Sequence, residues 1–162
     1  MVIPLSYGNL TNMSSVAETR PSFVGSRLRI VYLWVLEQIY TNVTAAGFDD
    51  LGRFHVGMFR YPTAEGRRPS ELAEMLQITK QSVNDLLRDM EARGYVELAP
   101  DASDGRARII RLTDKGHHLE QVVHEAAGSV SQQIADILGA RRYTAFMSSL
   151  DEIVEQIAVG DT

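Results

Sequence analysis

The strongest constraint on this chain is the order of signals in residues 67–116, RRPSELAEMLQITKQSVNDLLRDMEARGYVELAPDASDGRARIIRLTDKG. Behind Pro69, apolar residues at Leu72, Ala73 and Leu76 keep helical spacing. Proline suits a first helical position because no amide hydrogen is needed there, and Glu71 lies near the positive helix end. Arg68, at the cap position, is a poor cap because it carries no acceptor. After Ile78, a second helix is predicted over 80–93, with Thr79 as its cap and Gly94 as its left-handed stop. Val83, Leu86, Leu87 and Met90 form its buried stripe. The alternation from Tyr95 to Ala99 then predicts a half-buried strand, 100–106 a turn, and 107–112 the returning strand. This order predicts a winged helix-turn-helix, mostly α with a small β-hairpin wing (α+β). Such a fold places its second helix in the major groove of double-stranded DNA.

Helical patterns flank this segment. Over 23–46, Leu28, Val31, Tyr32, Val35, Leu36, Ile39, Tyr40 and Val43 recur at helical spacing, and Gly47 stops the pattern. Leu33 and Trp34 lie off that face, so the helix needs more than one partner: it reads as a core helix or as a dimer-forming one. Asp49 and Asp50 suit the cap of a short helix over 51–60, which Tyr61-Pro62 would end. Thr113 caps a long helix running to about Leu138. A last amphipathic helix over 141–158 carries Tyr143, Phe146, Met147, Leu150, Ile153, Val154 and Ile157 on its apolar side.

Residues 1–22 are polar and rich in Ser and Thr, without the basic start and apolar run of a signal peptide, and read as a disordered arm; Met13 is an alternative start. No stretch approaches the length of a membrane span, and a cytoplasmic location is expected. The absence of cysteine excludes disulfides, cysteine-ligated zinc and a thiol switch. The net charge of −5 sits oddly with DNA binding until it is divided. Residues 53–115 hold eleven Lys/Arg against ten Asp/Glu, a net of +1, and the remainder holds five against eleven. The acidic excess therefore belongs to the flanks, and phosphate contact depends on local basic clusters instead.

On the helix over 80–93, Gln81, Asn84, Asp85 and Arg88 share the face opposite the buried stripe. Lys80 and Ser82 belong to the N-terminal turn that enters the groove first. Gln and Asn suit bidentate contact with adenine; Lys and Arg suit guanine or phosphate, and Thr79 stands close enough to touch phosphate. The plain alternative is a solvated polar face. In the hairpin, Arg106 beside Gly105 is best placed for the narrow minor groove, where the potential is most negative. Arg108 is a further candidate, although Arg108 and Arg111 read equally well as strand-surface ion pairs. Asp104 is expected to orient an arginine, since an unpaired acid near DNA would be costly.

The runs SELAEMLQITKQSVNDLLRDMEARGYVEL, DGRAR and IIRLTDKG resemble the MarR family of bacterial transcription regulators. The Asp-x-Arg wing followed by Leu-Thr-x-Lys-Gly is the most specific part of the resemblance, which covers the winged helix closely and the flanking helices in placement and length only. It implies a homodimer, with a dimerisation region over 23–47 and 117–160 and the DNA-binding region over 48–116. It further implies a repressor on a palindromic operator, released by a small aromatic or phenolic effector bound between the two regions. Asp85 departs from the basic or small residue usual at its position.

Other constellations are weaker. His117, Glu120 and His124 share a helix face and would allow a metal-responsive regulator; the ordinary reading is surface histidines, and no metal or other cofactor is expected. Tyr32, His55 and Phe59, with Met58 and Tyr61, are candidates for an effector pocket, against ordinary core packing. No nucleophile elbow, phosphate loop or metalloprotease motif is present, so no enzyme is expected. The remaining alternative is a winged helix that binds protein and has lost DNA, for which Asp85 and the acidic total speak.

Overall fold

The computed structural model describes residues 23–59 and 64–160, with the side chains of 158–160 excepted. The elements in order are α1 (Val24–Ala45), α2 (Arg53–Gly57), α3 (Pro69–Leu76), α4 (Lys80–Ala92), β1 (Val96–Asp101), β2 (Asp104–Leu112), α5 (Asp114–Leu138) and α6 (Ala140–Gly160). The proposed arm over 1–22 and the Tyr61-Pro62 stop lie outside the described residues.

Helices α1 and α5 form the long axis. The C-terminal half of α1 buries Ile39 and Val43. Helix α5 answers with Leu119, Val123, Ala126 and Val130, spaced by four and three. Its N-terminus is set by Thr113, whose Oγ1 accepts the Gly116 amide at 3.1 Å. The first turns of α1 remain uncovered: Phe23 and Val24 are more than two-thirds exposed.

The helix-turn-helix follows the spacing of its apolar residues. Leu72 and Ala73 of α3 face Val83, Leu86, Leu87 and Met90 of α4 within one core. The turn between them is closed by Gln77 in the left-handed region, φ 53°. Thr79 Oγ1 caps α4 by accepting from the Ser82 amide at 3.1 Å, as its sequence position predicts. Gly94, φ 76°, ends the turn beyond α4.

Two local expectations fail. Helix α2 is only five residues long, and its cap is Gly52, whose amide donates to His55 Nδ1 at 3.0 Å. Asp50 is not a cap because its carboxylate accepts the hydroxyl of Tyr95 at 2.7 Å. Tyr95 is fully buried and its hydroxyl needs an acceptor that water cannot supply.

The hairpin turn is also tighter than 100–106. Pairing runs from Val96 with Leu112 to Asp101 with Asp104, leaving Ala102 and Ser103 as the tip, with an irregularity between Pro100 and Asp101. Side-chain acceptors make this possible. Asp101 Oδ1 accepts both the amide and the hydroxyl of Ser103, at 2.8 and 2.6 Å, and Asp104 Oδ1 accepts the Arg106 amide at 3.1 Å. On the other edge of β2, the Gly66 amide donates to the Ile110 carbonyl (2.7 Å) and the Ile110 amide to the Arg67 carbonyl (2.8 Å). The segment before α3 thus anchors the root of the hairpin.

Candidate nucleic-acid interface

The outward face of α4 carries Lys80, Gln81, Ser82, Asn84, Asp85 and Arg88, all exposed, while the opposite face is buried. A buried stripe on one side and tertiary packing on that side alone leave the polar side chains aimed at solvent. Ser82 Oγ and Thr79 Oγ1 are hydrogen-bonded to one another at 2.8 Å at the start of the helix. Arg88 Nη1 lies 3.1 Å from Asp85 Oδ1, so Asp85 has a positive neighbour one turn away. This pair is highly exposed and contributes little to stability.

The wing projects beside this helix. Arg106 and Arg108 are both exposed on β2. Arg108 Nη1 donates to the Leu98 carbonyl at 3.0 Å, while the Arg106 guanidinium has no ion-pair partner among the described residues. Arg111 pairs with Glu65 at 2.9 Å, and the same carboxylate accepts the Leu112 amide. The strand-surface reading therefore describes Arg111.

Asp104 does not orient a wing arginine side chain. It holds the Arg106 main chain, and its other oxygen stands 3.8 Å from Arg68. The close arginine partner in the wing is Asp101: Arg68 Nε and Nη2 donate to Asp101 Oδ2 at 2.9 and 2.6 Å. The Ser103 hydroxyl and amide, followed by Arg68, lower the Asp101 carboxyl to a pKa of about 2. Arg68 and Asp101 were missed as a pair because they lie 33 residues apart. The available signal was Arg68 itself, a side chain unsuited to the cap position it occupies.

The three candidate effector-pocket residues do not come together. Phe59 is fully buried in the core. His55 Nε2 lies 2.7 Å from Asp89 Oδ2, and its Nδ1 is occupied by the Gly52 amide. Tyr32 instead lines an open apolar groove of about 530 Å³ between α1, α5 and α6, with Val31, Val35, Ile134, Phe146 and Met147 among its walls. Tyr61 lies outside the described residues. His117 Nδ1 stands 3.8 Å from Glu120 Oε2, and among the described residues no three His, Asp or Glu side chains converge to hold a metal ion.

The described residues are mostly helical, with one two-stranded antiparallel hairpin behind a helix-turn-helix, and this fixes the fold as a winged helix. Residues 62–107 match the sequence model of the MarR family. Over that stretch, from the segment before α3 into β2, the chain is similar to the MarR family. Among curated proteins, the transcriptional activatory protein BadR of Rhodopseudomonas palustris is 31% identical over 85 residues, 52% of this chain and 47% of BadR. The chain spans about half the length of the curated relatives it matches. Among solved structures, reduced MarR from E. coli superposes with a TM-score of 0.71 at 18% identity, covering 83% of this chain and 98% of that one. The transcriptional repressor CouR, solved bound to a 23-mer DNA duplex, gives 0.63 at 24% identity over 90% and 99%. At these identities the superpositions show a likeness of fold over most of the chain. Among the described residues no helix is long and apolar enough to cross a membrane.

Proposed function

We propose that this protein is a transcription regulator that binds a palindromic operator as a homodimer, with α4 in the major groove and the wing in the minor groove. The observation that carries this reading is the polar, outward face of α4, from Lys80 to Asn84, beside a hairpin that presents Arg106 without an ion-pair partner among the described residues. Lys80, Gln81, Ser82 and Asn84 read base edges, Thr79 and Arg88 hold phosphate, and Arg106, assisted by Arg108, enters the minor groove. Arg88, 3.1 Å from Asp85, partly offsets the acidic charge on this face, which weakens the case for a winged helix that has abandoned DNA.

A second copy of the chain supplies the dimer. Phe23, Val24, Leu28 and Val31 at the start of α1, and Ile153, Val154 and Ile157 on α6, are large apolar side chains left in solvent by the single chain. The groove around Tyr32 continues this surface and offers an apolar site for a small aromatic or phenolic effector at the same region. Occupation of an operator excludes polymerase, so repression is the expected sign, and binding to chromosomal DNA places the protein in the cytoplasm. BadR is named an activator and CouR a repressor, so the sign is checked by a reporter assay in cells with and without the protein.

The direct test is selection of bound fragments from random duplex DNA at two salt concentrations. A recovered palindrome with half-sites about one helical turn apart, and affinity falling steeply with salt, is the expected result. A folded dimer that enriches no sequence overturns the reading.

A further inference from the structure

Besides the Leu98 amide of β1, which donates to Glu91 Oε1 of α4 at 3.4 Å, the wing is held to the segment leading into α3 at its root and near its tip. At its root, residues 65–67 bind Ile110, Arg111 and Leu112 through main-chain and side-chain contacts. Near its tip the contact is the Arg68–Asp101 pair. From Ile110 to Asp104 the strand extends roughly 20 Å, six residues at about 3.4 Å each. An isolated two-stranded hairpin is marginal in water, and a swing of about 10° at the root moves a tip at that distance by about 3.5 Å. That displacement is enough to take an arginine out of hydrogen-bond reach of a groove.

Both members of the pair are fixed elsewhere. Arg68 is the cap residue of α3: its amide donates to Glu71 Oε2 at 3.0 Å, and its carbonyl accepts from Leu72 at 3.1 Å. Its guanidinium therefore extends from a main chain that belongs to the helix-turn-helix. Asp101 uses one oxygen to build the Ser103 turn and the other to receive Arg68. A single carboxylate thus joins the formation of the tip to its position. Asp101 is well sheltered, with 13% of its side chain exposed, and the contact is made by two donors in a planar fork, which lysine could not reproduce.

We propose that Arg68 and Asp101 form a clamp that sets the angle of the wing to the recognition helix, making both of them positioning residues for entry of Arg106 into the minor groove. This rests on the DNA-binding reading above. The clamp acts through Arg106, and its loss leaves the face of α4 unchanged.

The test is a double-mutant cycle in the full chain, measured on the selected operator. Arg68→Ala is expected to weaken binding on the order of tenfold, the scale of one lost arginine contact, and to have little further effect in an Arg106→Ala background. Asp101→Asn, which keeps an acceptor for Ser103, is expected to reproduce Arg68→Ala, and Arg68→Lys to recover only part of the loss. Hydroxyl-radical cleavage should lose its minor-groove protection in Arg68→Ala, while guanine N7 protection in the major groove persists. These two readouts separate positioning from a general loss of fold. Full additivity of Arg68→Ala with Arg106→Ala, or intact minor-groove protection in both clamp variants, overturns the clamp alone. A wild-type dimer that binds no DNA overturns the clamp together with the functional reading.

Discussion

At Gly116 a β-carbon would lie 2.1 Å from the Tyr95 carbonyl oxygen, a distance real structures do not tolerate. That carbonyl also accepts the Thr113 amide, so it cannot retreat without breaking the joint between wing and α5. Gly116→Ala should therefore destabilise the fold by about 3 kcal/mol, the upper part of the overpacking range. Urea unfolding measures this directly, and a change below about 1 kcal/mol would contradict the packing described. Gln77 presents the reverse case. Its left-handed φ of 53° strains any side chain with a β-carbon. Gln77→Gly should raise stability by about 0.5–1 kcal/mol, after allowance for the greater freedom of glycine in the unfolded chain. A lower thermal midpoint in that variant would show that the Gln77 side chain contributes more than its backbone costs.

At the scale of elements, α4 and the wing differ in what their side chains can distinguish. Base edges differ in donor and acceptor pattern, whereas the depth and potential of the minor groove vary more gradually with sequence. Gln81→Ala or Asn84→Ala should relax discrimination by about 1–3 kcal/mol at single base pairs. Arg106→Ala should weaken many sequences alike. Binding of a panel of single-base operator variants checks both, and equal losses on operator and random DNA for all three variants would refute the division. The wing also shows how element boundaries shift under tertiary influence. Turn residues predicted a loop of seven, yet Asp101, Ser103 and Asp104 satisfy the tip internally and pairing continues to its last two residues.

At the scale of the whole molecule, four carboxylates among the described residues join neighbouring elements or stiffen them, and each is more acidic in the native state. Glu37 is lowered by the guanidinium of Arg53, Asp50 by the hydroxyl of Tyr95, Asp89 by Arg93, and Asp101 by Ser103 and then Arg68. A carboxylate made more acidic by folding stabilises the native state fully above its unfolded value. It loses that contribution as pH falls through the folded value. The window opens near the ordinary values of 4.5 for Glu37 and 3.8 for the aspartates, and for Asp101 it closes at about 2. Thermal melts from pH 7 downward should show the midpoint falling mainly below about pH 4.5; most of the loss appearing between pH 7 and 5.5 would exclude these groups as its source. The uncovered apolar residues of α6 belong to this scale too. Ile153→Glu should reduce self-association in sedimentation velocity while leaving the wing contacts and far-ultraviolet dichroism unchanged, because Ile153 is exposed and lies outside the winged helix.

The sequence by itself determined what depends on neighbours along the chain. The periodic stripes of α4 and α5, the Thr79 and Thr113 caps, the Gly94 stop and the hairpin all follow from local propensity and spacing, and so does the family resemblance through Asp-x-Arg and Leu-Thr-x-Lys-Gly. The exposure of the polar face of α4 was legible for the same reason, because a strong buried stripe leaves one outward side. Tertiary structure alone decided which distant residues meet. It drew Asp50 from a cap to the buried Tyr95 hydroxyl, separated Tyr32 from His55 and Phe59, gave Glu65 to Arg111, and joined Arg68 to Asp101. A charged side chain near several opposite charges takes the one whose geometry and shelter allow the most hydrogen bonds, and that choice exists only once the chain has brought them together.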